Sequence, residues 1–170
     1  MIRQIKILLA FTVALWGVLG GLGNLSSYGE GMQSVASVLS KETLPESALP
    51  NGPVTPSPVL VTLGFALIWV LKLVGGGLCL FGALQMWAAR TATAGAYAHA
   101  SRWAVSGCGV LLFMLFFGFS FIAVGPYKLY LSPSMSAVEL AALFAAQIGV
   151  VMVFLNQQEL DGGVHRLPRK

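Results

Sequence analysis

Four long apolar stretches decide what this chain can fold into. They cover about residues 7–25, 59–89, 103–124 and 136–155. A helix crosses the roughly 30 Å hydrocarbon layer of a membrane with about 20 apolar residues. Strands of membrane β-barrels are only about 10 residues long and alternate polar with apolar side chains. The sequence therefore predicts an all-α fold, in which a single integral membrane domain forms a four-helix bundle.

The composition indicates the same class of protein. Apolar residues make up 56% of the chain and charged residues 9%, and the mean hydropathy is +0.80. A soluble domain carries about 25% charged residues. These values exclude a soluble domain, a disordered chain and a small disulfide scaffold. The net charge of +4 follows from where the charges lie relative to the membrane, so we predict contact with the lipid bilayer and no nucleic-acid partner.

The positions of Lys and Arg predict the orientation in the membrane, because cytoplasmic segments carry the excess of these residues. Seven lie in one set of segments, namely Arg3, Lys6, Arg90, Arg102, Arg166, Arg169 and Lys170. Only Lys41 and Lys128 lie in the opposite set. Both termini, the loop 90–102 and the tail 156–170 are therefore predicted in the cytoplasm. The segment 26–58 and the turn 125–135 are predicted on the opposite side of the membrane.

The first apolar stretch has a second interpretation. Arg3 and Lys6 precede it, and the small residues Gly21 and Gly23 follow, as in a secretory signal peptide. The stretch is longer than the roughly 7–15 residues of a signal core. We therefore expect a helix that stays in the membrane.

The segment 26–58 holds five of the eight prolines. Its first half has apolar residues at helical spacing, which predicts a short amphipathic helix. The second half, 44–58, is too rich in proline to be helical and is expected to be extended. Two roles fit this segment: a lid on the outer ends of the helices, or a docking surface for a periplasmic or membrane partner.

Lys72 is the only basic residue within a predicted span. Its depth in the membrane decides whether it needs a charged partner. The stretch 59–89 has 31 residues, roughly 46 Å as a helix. An upright helix anchored by Trp87 places Lys72 near the outer interface, where it snorkels at little cost. A tilted helix draws Lys72 deeper, where it needs a partner, and Glu139 is the predicted one. Glu139 also fits a capping box with Ser136 at a helix start.

Small residues line one face of each of the first two predicted helices. The first face contains Ala10, Ala14, Gly17 and Gly21, and the second contains Gly75, Cys79, Gly82 and Met86, with Gly76 and Ala83 alongside. Small side chains let membrane helices approach closely, so we predict that the two faces pack together, with contact between molecules as the alternative. The third helix carries five Phe residues between positions 113 and 121, which suit contact with lipid or with a partner.

The sequence contains no pattern typical of a catalytic, cofactor or metal site. His99 and His165 fall in the predicted loop and tail, and Cys79 and Cys108 lie within spans with no CxxC motif or nearby His. We therefore predict no haem, metal, disulfide or other cofactor, and no enzymatic activity.

Several short motifs follow one another in a definite order. They are Asn24-x-x-x-Tyr28, Val35-x-x-Val38-Leu39-Ser40-x-Glu42-Thr43, Leu78-Cys79-x-x-Gly82-Ala83 and Phe154-Leu155-Asn156-Gln157. The order resembles the pattern of the DUF2165 family, predicted small integral membrane proteins of bacteria, over about residues 3–161. The resemblance implies a four-helix membrane fold with both termini inside and supplies no activity. It also implies Glu where this chain has Lys72 and Pro126. If those acids bind a ligand or cation in relatives, this chain lacks the residues for that role.

Three hypotheses about function follow. The first is a non-enzymatic accessory or assembly subunit that binds other integral membrane subunits of a larger complex. The second is a small transporter or channel, acting as a homo-oligomer, with Lys72 lining an anion or substrate path. The third is a sensor whose segment 26–58 binds a ligand.

Overall fold

The chain is described by a computed structural model over residues 1–39, 57–123 and 137–157, and this part is all-helical. Its helices are α1 (Ile2–Ser26), α2 (Tyr28–Leu39), α3 (Pro58–Ala88), α4 (Ala94–Ala123) and α5 (Ala137–Asn156). All except α2 are long and apolar enough to cross a membrane. The helical membrane bundle predicted from the four apolar stretches is confirmed.

The short helix predicted in the first half of segment 26–58 is present as α2. Only Ser27 separates it from α1, and the Ser27 carbonyl accepts the backbone N–H of Gly31 at 3.0 Å. The extended stretch predicted after it lies outside the described residues, apart from its last two. The last of these, Pro58, begins α3, where its missing N–H leaves no helical hydrogen bond unmade.

The loop predicted at 90–102 is much shorter, which corrects the expectation from sequence. Helix α4 begins at Ala94, so that only Ala89–Thr93 connects it to α3. The Thr93 hydroxyl accepts the backbone N–H of Ala96 at 3.4 Å, and its carbonyl accepts that of Tyr97 at 3.0 Å. Alanine-rich sequence after Thr93 favours the helix. The expectation was wrong because it took the end of the apolar run for the end of the helix.

Helix α3 lies at the centre of the bundle. It packs along α1 on one side and along α4 on another, while α2 rests on its first half. Helix α5 packs mainly on α4 and makes a smaller contact with α1. The buried core combines small side chains, such as Ala14, Ala83 and Ala104, with larger ones, such as Met86, Leu111 and Ile148.

The starts of α1 and α4 and the ends of α3 and α5 meet at one end of the bundle. The Arg3 side chain donates to the carbonyl of Arg90, and the Lys6 ammonium donates to that of Gln157. We call this the basic end, defined by Arg3, Lys6, Arg90 and Arg102, and the opposite one the far end. The far end contains α2 and the first turns of α3.

Candidate functional site

Helices α1 and α3 touch through their backbones at Gly17 and Gly76. A Cβ atom on Gly17 would lie 2.7 Å from the Gly76 Cα, and one on Gly76 would lie 2.5 Å from the Val18 nitrogen. One turn nearer the far end, a Cβ on Gly21 would lie 2.7 Å from the Leu73 side chain. Ala10 and Ala14 of the same face are buried. Any side chain larger than hydrogen at position 17 or 76 would therefore push the two helices apart.

Helices α3 and α4 make a second contact of the same kind. A Cβ atom on Gly75 would lie 2.6 Å from the Leu111 Cγ, and one on Gly107 would lie 2.6 Å from the Cys79 nitrogen. Gly82 faces the backbone of Ala104 with no space for a side chain. The α3–α4 interface is thus as closely packed as the α1–α3 interface.

The small residues of α3 are divided between two neighbours. The predicted packing of the two small-residue faces therefore holds at Gly17 and Gly76 and is corrected for Gly75 and Gly82. Gly76 contacts α1, while Gly75 and Gly82 contact α4. Successive residues of a helix point about 100° apart, so the adjacent glycines serve different partners. The partner face on α4 was missed, although Ala100, Ala104, Gly107 and Leu111 have the same spacing as the face on α1.

Lys72 points from α3 across α1 and is half-buried. Its Nζ lies 5.4 Å from the centre of the Trp16 ring and would lie 3.6 Å from a Cβ atom on Gly20. The Trp16 ring also packs on Phe144 of α5, with ring centres 4.8 Å apart. An ammonium group over an indole ring is stabilised by about 0.5–2 kcal/mol, so the Trp16 ring partly replaces the water that Lys72 loses.

The predicted partner of Lys72 lies at the start of α5. Glu139 is exposed in its first turn. The structure places Trp16 against the ammonium of Lys72, and the pairing of Lys72 with Glu139 stays a prediction. The capping box also stays a prediction, because Ser136 lies outside the described residues.

Asn24 and Tyr28, the first motif of the family resemblance, lie where α1 turns into α2. Asn24 is half-buried in the last turns of α1, and Tyr28 is the first residue of α2. The Tyr28 ring meets the buried Phe65 ring edge-on, with centres 5.1 Å apart, and Gly31 also contacts Phe65. This motif therefore includes one side chain that holds α2 against α3.

The basic end contains a network of hydrogen bonds around Arg3. From sequence, Arg3 was interpreted only as a signal for the orientation and start of the first span. An Arg3 nitrogen donates to the Ala92 carbonyl at 2.6 Å, and the Tyr97 hydroxyl donates to the Arg3 carbonyl at 3.0 Å. The Arg3 guanidinium also lies 4.8 Å from the centre of the Tyr97 ring. These contacts fasten the start of α1 to the connection between α3 and α4.

Lys6 fastens α1 to the end of α5. Its side chain is only 2% exposed, and its Nζ donates to the Gln157 carbonyl at 2.7 Å. The same nitrogen lies 5.9 Å from the centre of the Phe154 ring. A cation is favourable at a helix C-terminus, where carbonyl groups lack partners within the helix. Lys6 therefore supports α5 at the point where the described chain ends.

A cavity of about 580 Å³ opens beside Lys6, between the start of α4 and the end of α5. Its polar lining residues include Lys6, Ser101, Arg102, Ser106, Asn156 and Gln157. Val105 and Leu155 supply apolar walls. We call this space the basic-end cavity.

Cys79 and Cys108 are free thiols that face each other across the α3–α4 interface. Their sulfur atoms are 3.9 Å apart, both side chains are fully buried, and Cys79 lies 3.5 Å from the Ala104 carbonyl. Sequence spacing did not reveal this proximity. In the part of the chain that the structure describes, no group of three or more His, Cys, Asp or Glu side chains is placed to hold a metal ion.

Comparison with known families gives one match. The family described as "Predicted small integral membrane protein (DUF2165)" matches residues 2–158, which includes every described helix. No curated protein and no solved structure matches the chain.

Proposed function

We propose that this chain, which belongs to the DUF2165 family of predicted small integral membrane proteins, is a non-enzymatic accessory or assembly subunit of a larger membrane complex. Its helices contact the lipid bilayer, as expected of an integral membrane protein. We place it in the inner membrane of a bacterium with the basic end in the cytoplasm, on the distribution of Lys and Arg. The partners are other integral membrane subunits.

The observation that carries this proposal is the close backbone contact of α3 with both of its main neighbours. Gly17 meets Gly76 on one side of α3, and Gly107 meets Cys79 on the other. Backbone atoms thus occupy the space between α1, α3 and α4 along these interfaces. A bundle packed in this way is suited to present a fixed outer surface rather than to open a path between its helices.

We propose that the partner binds an aromatic part of the outer surface of this bundle. Phe81 and Trp103 meet edge-on with ring centres 5.3 Å apart, and Phe113 and Phe117 stack with centres 6.0 Å apart. We call these four residues the aromatic surface. Phe113 is 59% and Phe117 47% exposed. Trp103, Phe113 and Phe117 lie within about 80° around α4, at 100° per residue.

Aromatic residues are enriched in the buried centres of protein interfaces, and rings have little conformational entropy to lose there. The rings of the aromatic surface already pack in two pairs, so a partner binds them at a low ordering cost. Contact with lipid alone is the competing explanation, and it requires no defined neighbour.

Photocrosslinking in the membrane distinguishes these explanations. A photoreactive amino acid replaces Phe117 in one variant and Val150 of α5, which is 71% exposed, in the matched control. We expect a discrete product containing a second, different polypeptide from position 117 and only lipid adducts from position 150. Lipid adducts alone at position 117 would contradict the proposal. A product of exactly two copies there would favour the homo-oligomer hypothesis.

A further inference from the structure

We propose that the basic-end cavity binds the phosphate headgroup of an anionic phospholipid, a site that is independent of the proposed partner. The cavity lies among helix ends, beside the first turns of α4 and the last turn of α5. Headgroups occupy the same level in a membrane that these helices span. Its volume of about 580 Å³ falls within the range of about 300–1,000 Å³ typical of small-ligand sites.

The charge of the lining favours a phosphate group. Lys6 and Arg102 both line the cavity, and the described lining residues include no acidic side chain. The guanidinium group of Arg binds two phosphate oxygens at once. The positive end of α4 and the negative end of α5 both line the cavity and offset each other, so the attraction for a phosphate comes from the two cationic side chains.

Lys6 lies at the inner wall of the basic-end cavity and defines how far the binding site extends into the bundle. Its ammonium is buried at the cavity wall, where the Gln157 carbonyl accepts one of its three N–H groups at 2.7 Å. Charges act more strongly in such a place than in water, because less solvent screens them. Arg102 is exposed at the rim. The phosphate group therefore binds Arg102 at the rim, and the buried charge of Lys6 adds to the attraction from the inner wall.

The remaining lining residues indicate a lipid rather than a free anion. Ser106 and Asn156 are exposed and polar, which suits the hydroxyl groups of a glycerol headgroup, while Val105 and Leu155 provide an apolar wall for the start of an acyl chain. Basic pockets between membrane helices on the cytoplasmic side are a recurrent binding site for anionic lipid headgroups. The combination of charge, hydroxyl partners and apolar wall matches phosphatidylglycerol.

The test measures lipid retained by the full-length protein after reconstitution with phosphatidylglycerol diluted in phosphatidylcholine. Native mass spectrometry counts the bound lipids. Arg102→Gln should weaken phosphatidylglycerol retention about tenfold, the effect of one charge-assisted hydrogen bond. The matched control is Arg90→Gln, which removes the same charge at the same end from a residue that does not line the cavity. It should retain the lipid as the wild type does.

A second variant removes the space instead of the charge. Ser106→Trp fills the mouth of the cavity from an exposed position and should reduce retention without changing the charge of the protein. Equal retention of phosphatidylglycerol and phosphatidylcholine by the wild type would overturn the proposal, as would equal losses in Arg102→Gln and Arg90→Gln. Displacement of the lipid by millimolar inorganic phosphate would overturn it in favour of a small-anion site.

Discussion

At the scale of single residues, the packing of this protein depends on the positions of its glycines. Gly76 and Gly77 are neighbours in α3 with opposite surroundings. A Cβ atom on Gly76 would lie 2.5 Å from the Val18 nitrogen, whereas one on Gly77 would meet nothing within 4 Å. The backbone of α1 cannot move away from position 76 without losing the packing of the whole interface.

These two glycines give a matched pair of substitutions. We expect Gly76→Ala to lower the free energy of unfolding by about 1–3 kcal/mol, the usual cost of overpacking. Gly77→Ala should leave it unchanged or raise it by up to about 1 kcal/mol, because alanine favours the helix. Thermal unfolding in detergent measures both, and equal destabilisation by the two variants would contradict the α1–α3 contact.

A substitution at Lys72 distinguishes the proposed function from the transport hypothesis. Lys72→Met keeps the length of the side chain while removing its charge. We expect the free energy of unfolding to change by less than about 2 kcal/mol, since the cation–π contact with Trp16 is lost along with the cost of a charge among apolar helices.

The matching functional measurement is chloride flux into liposomes that contain the purified protein. The proposed function predicts the same flux for the wild type and Lys72→Met. A flux in the wild type that disappears in Lys72→Met would instead support an anion path along this residue.

At the scale of helices, the sequence predicted which elements exist better than which faces meet. Apolar length alone identified the four spans, because only a helix of that length satisfies its backbone within lipid. The start of α4 was missed because Arg102 and His99 end the apolar run but not the helix. The contact between Gly107 and Cys79 was also missed. Regular spacing of small residues identifies a packing face on a helix, but it does not say which of the other three helices packs there.

The α3–α4 interface can be tested through its two cysteines. Their sulfur atoms need to approach from 3.9 Å to about 2.05 Å to form a disulfide. With a protease site inserted in the loop Ala89–Thr93, oxidation by copper phenanthroline should leave the two cleaved fragments joined until a reductant is added.

The control for this link moves one thiol to another face of α4. In Cys108→Ala combined with Ser106→Cys, the new thiol is exposed and points away from Cys79, so the fragments should separate after cleavage. Efficient linking in the control, or none in the wild type, would contradict the packing of α3 on α4.

At the scale of the whole molecule, the basic end and the far end predict a definite orientation. Ser27 is exposed between α1 and α2, and Thr91 is exposed between α3 and α4. In a variant with both native cysteines replaced by alanine, a membrane-impermeant maleimide should label Ser27→Cys in spheroplasts and label Thr91→Cys only after lysis. The reverse pattern would contradict the cytoplasmic placement of the basic end.

The basic end also shows what a sequence conceals at this scale. Arg3 and Lys6 were predicted to flank a span, but their contacts with Ala92 and Gln157 join residues that are 89 and 151 positions apart. Such contacts depend on the order in which helices pack. The same order creates the basic-end cavity, whose lining residues come from three helices.

We propose that this bundle works by binding a different membrane protein through its aromatic surface. The native mass of the complex extracted in a mild detergent tests this proposal. We expect a mass that exceeds that of the 17.9 kDa chain by the mass of another polypeptide. This excess should be retained in Lys72→Met and lost in the double variant Phe113→Ala/Phe117→Ala. A mass of 17.9 kDa or a whole multiple of it, unchanged in the double variant, would show that the aromatic surface binds no different protein.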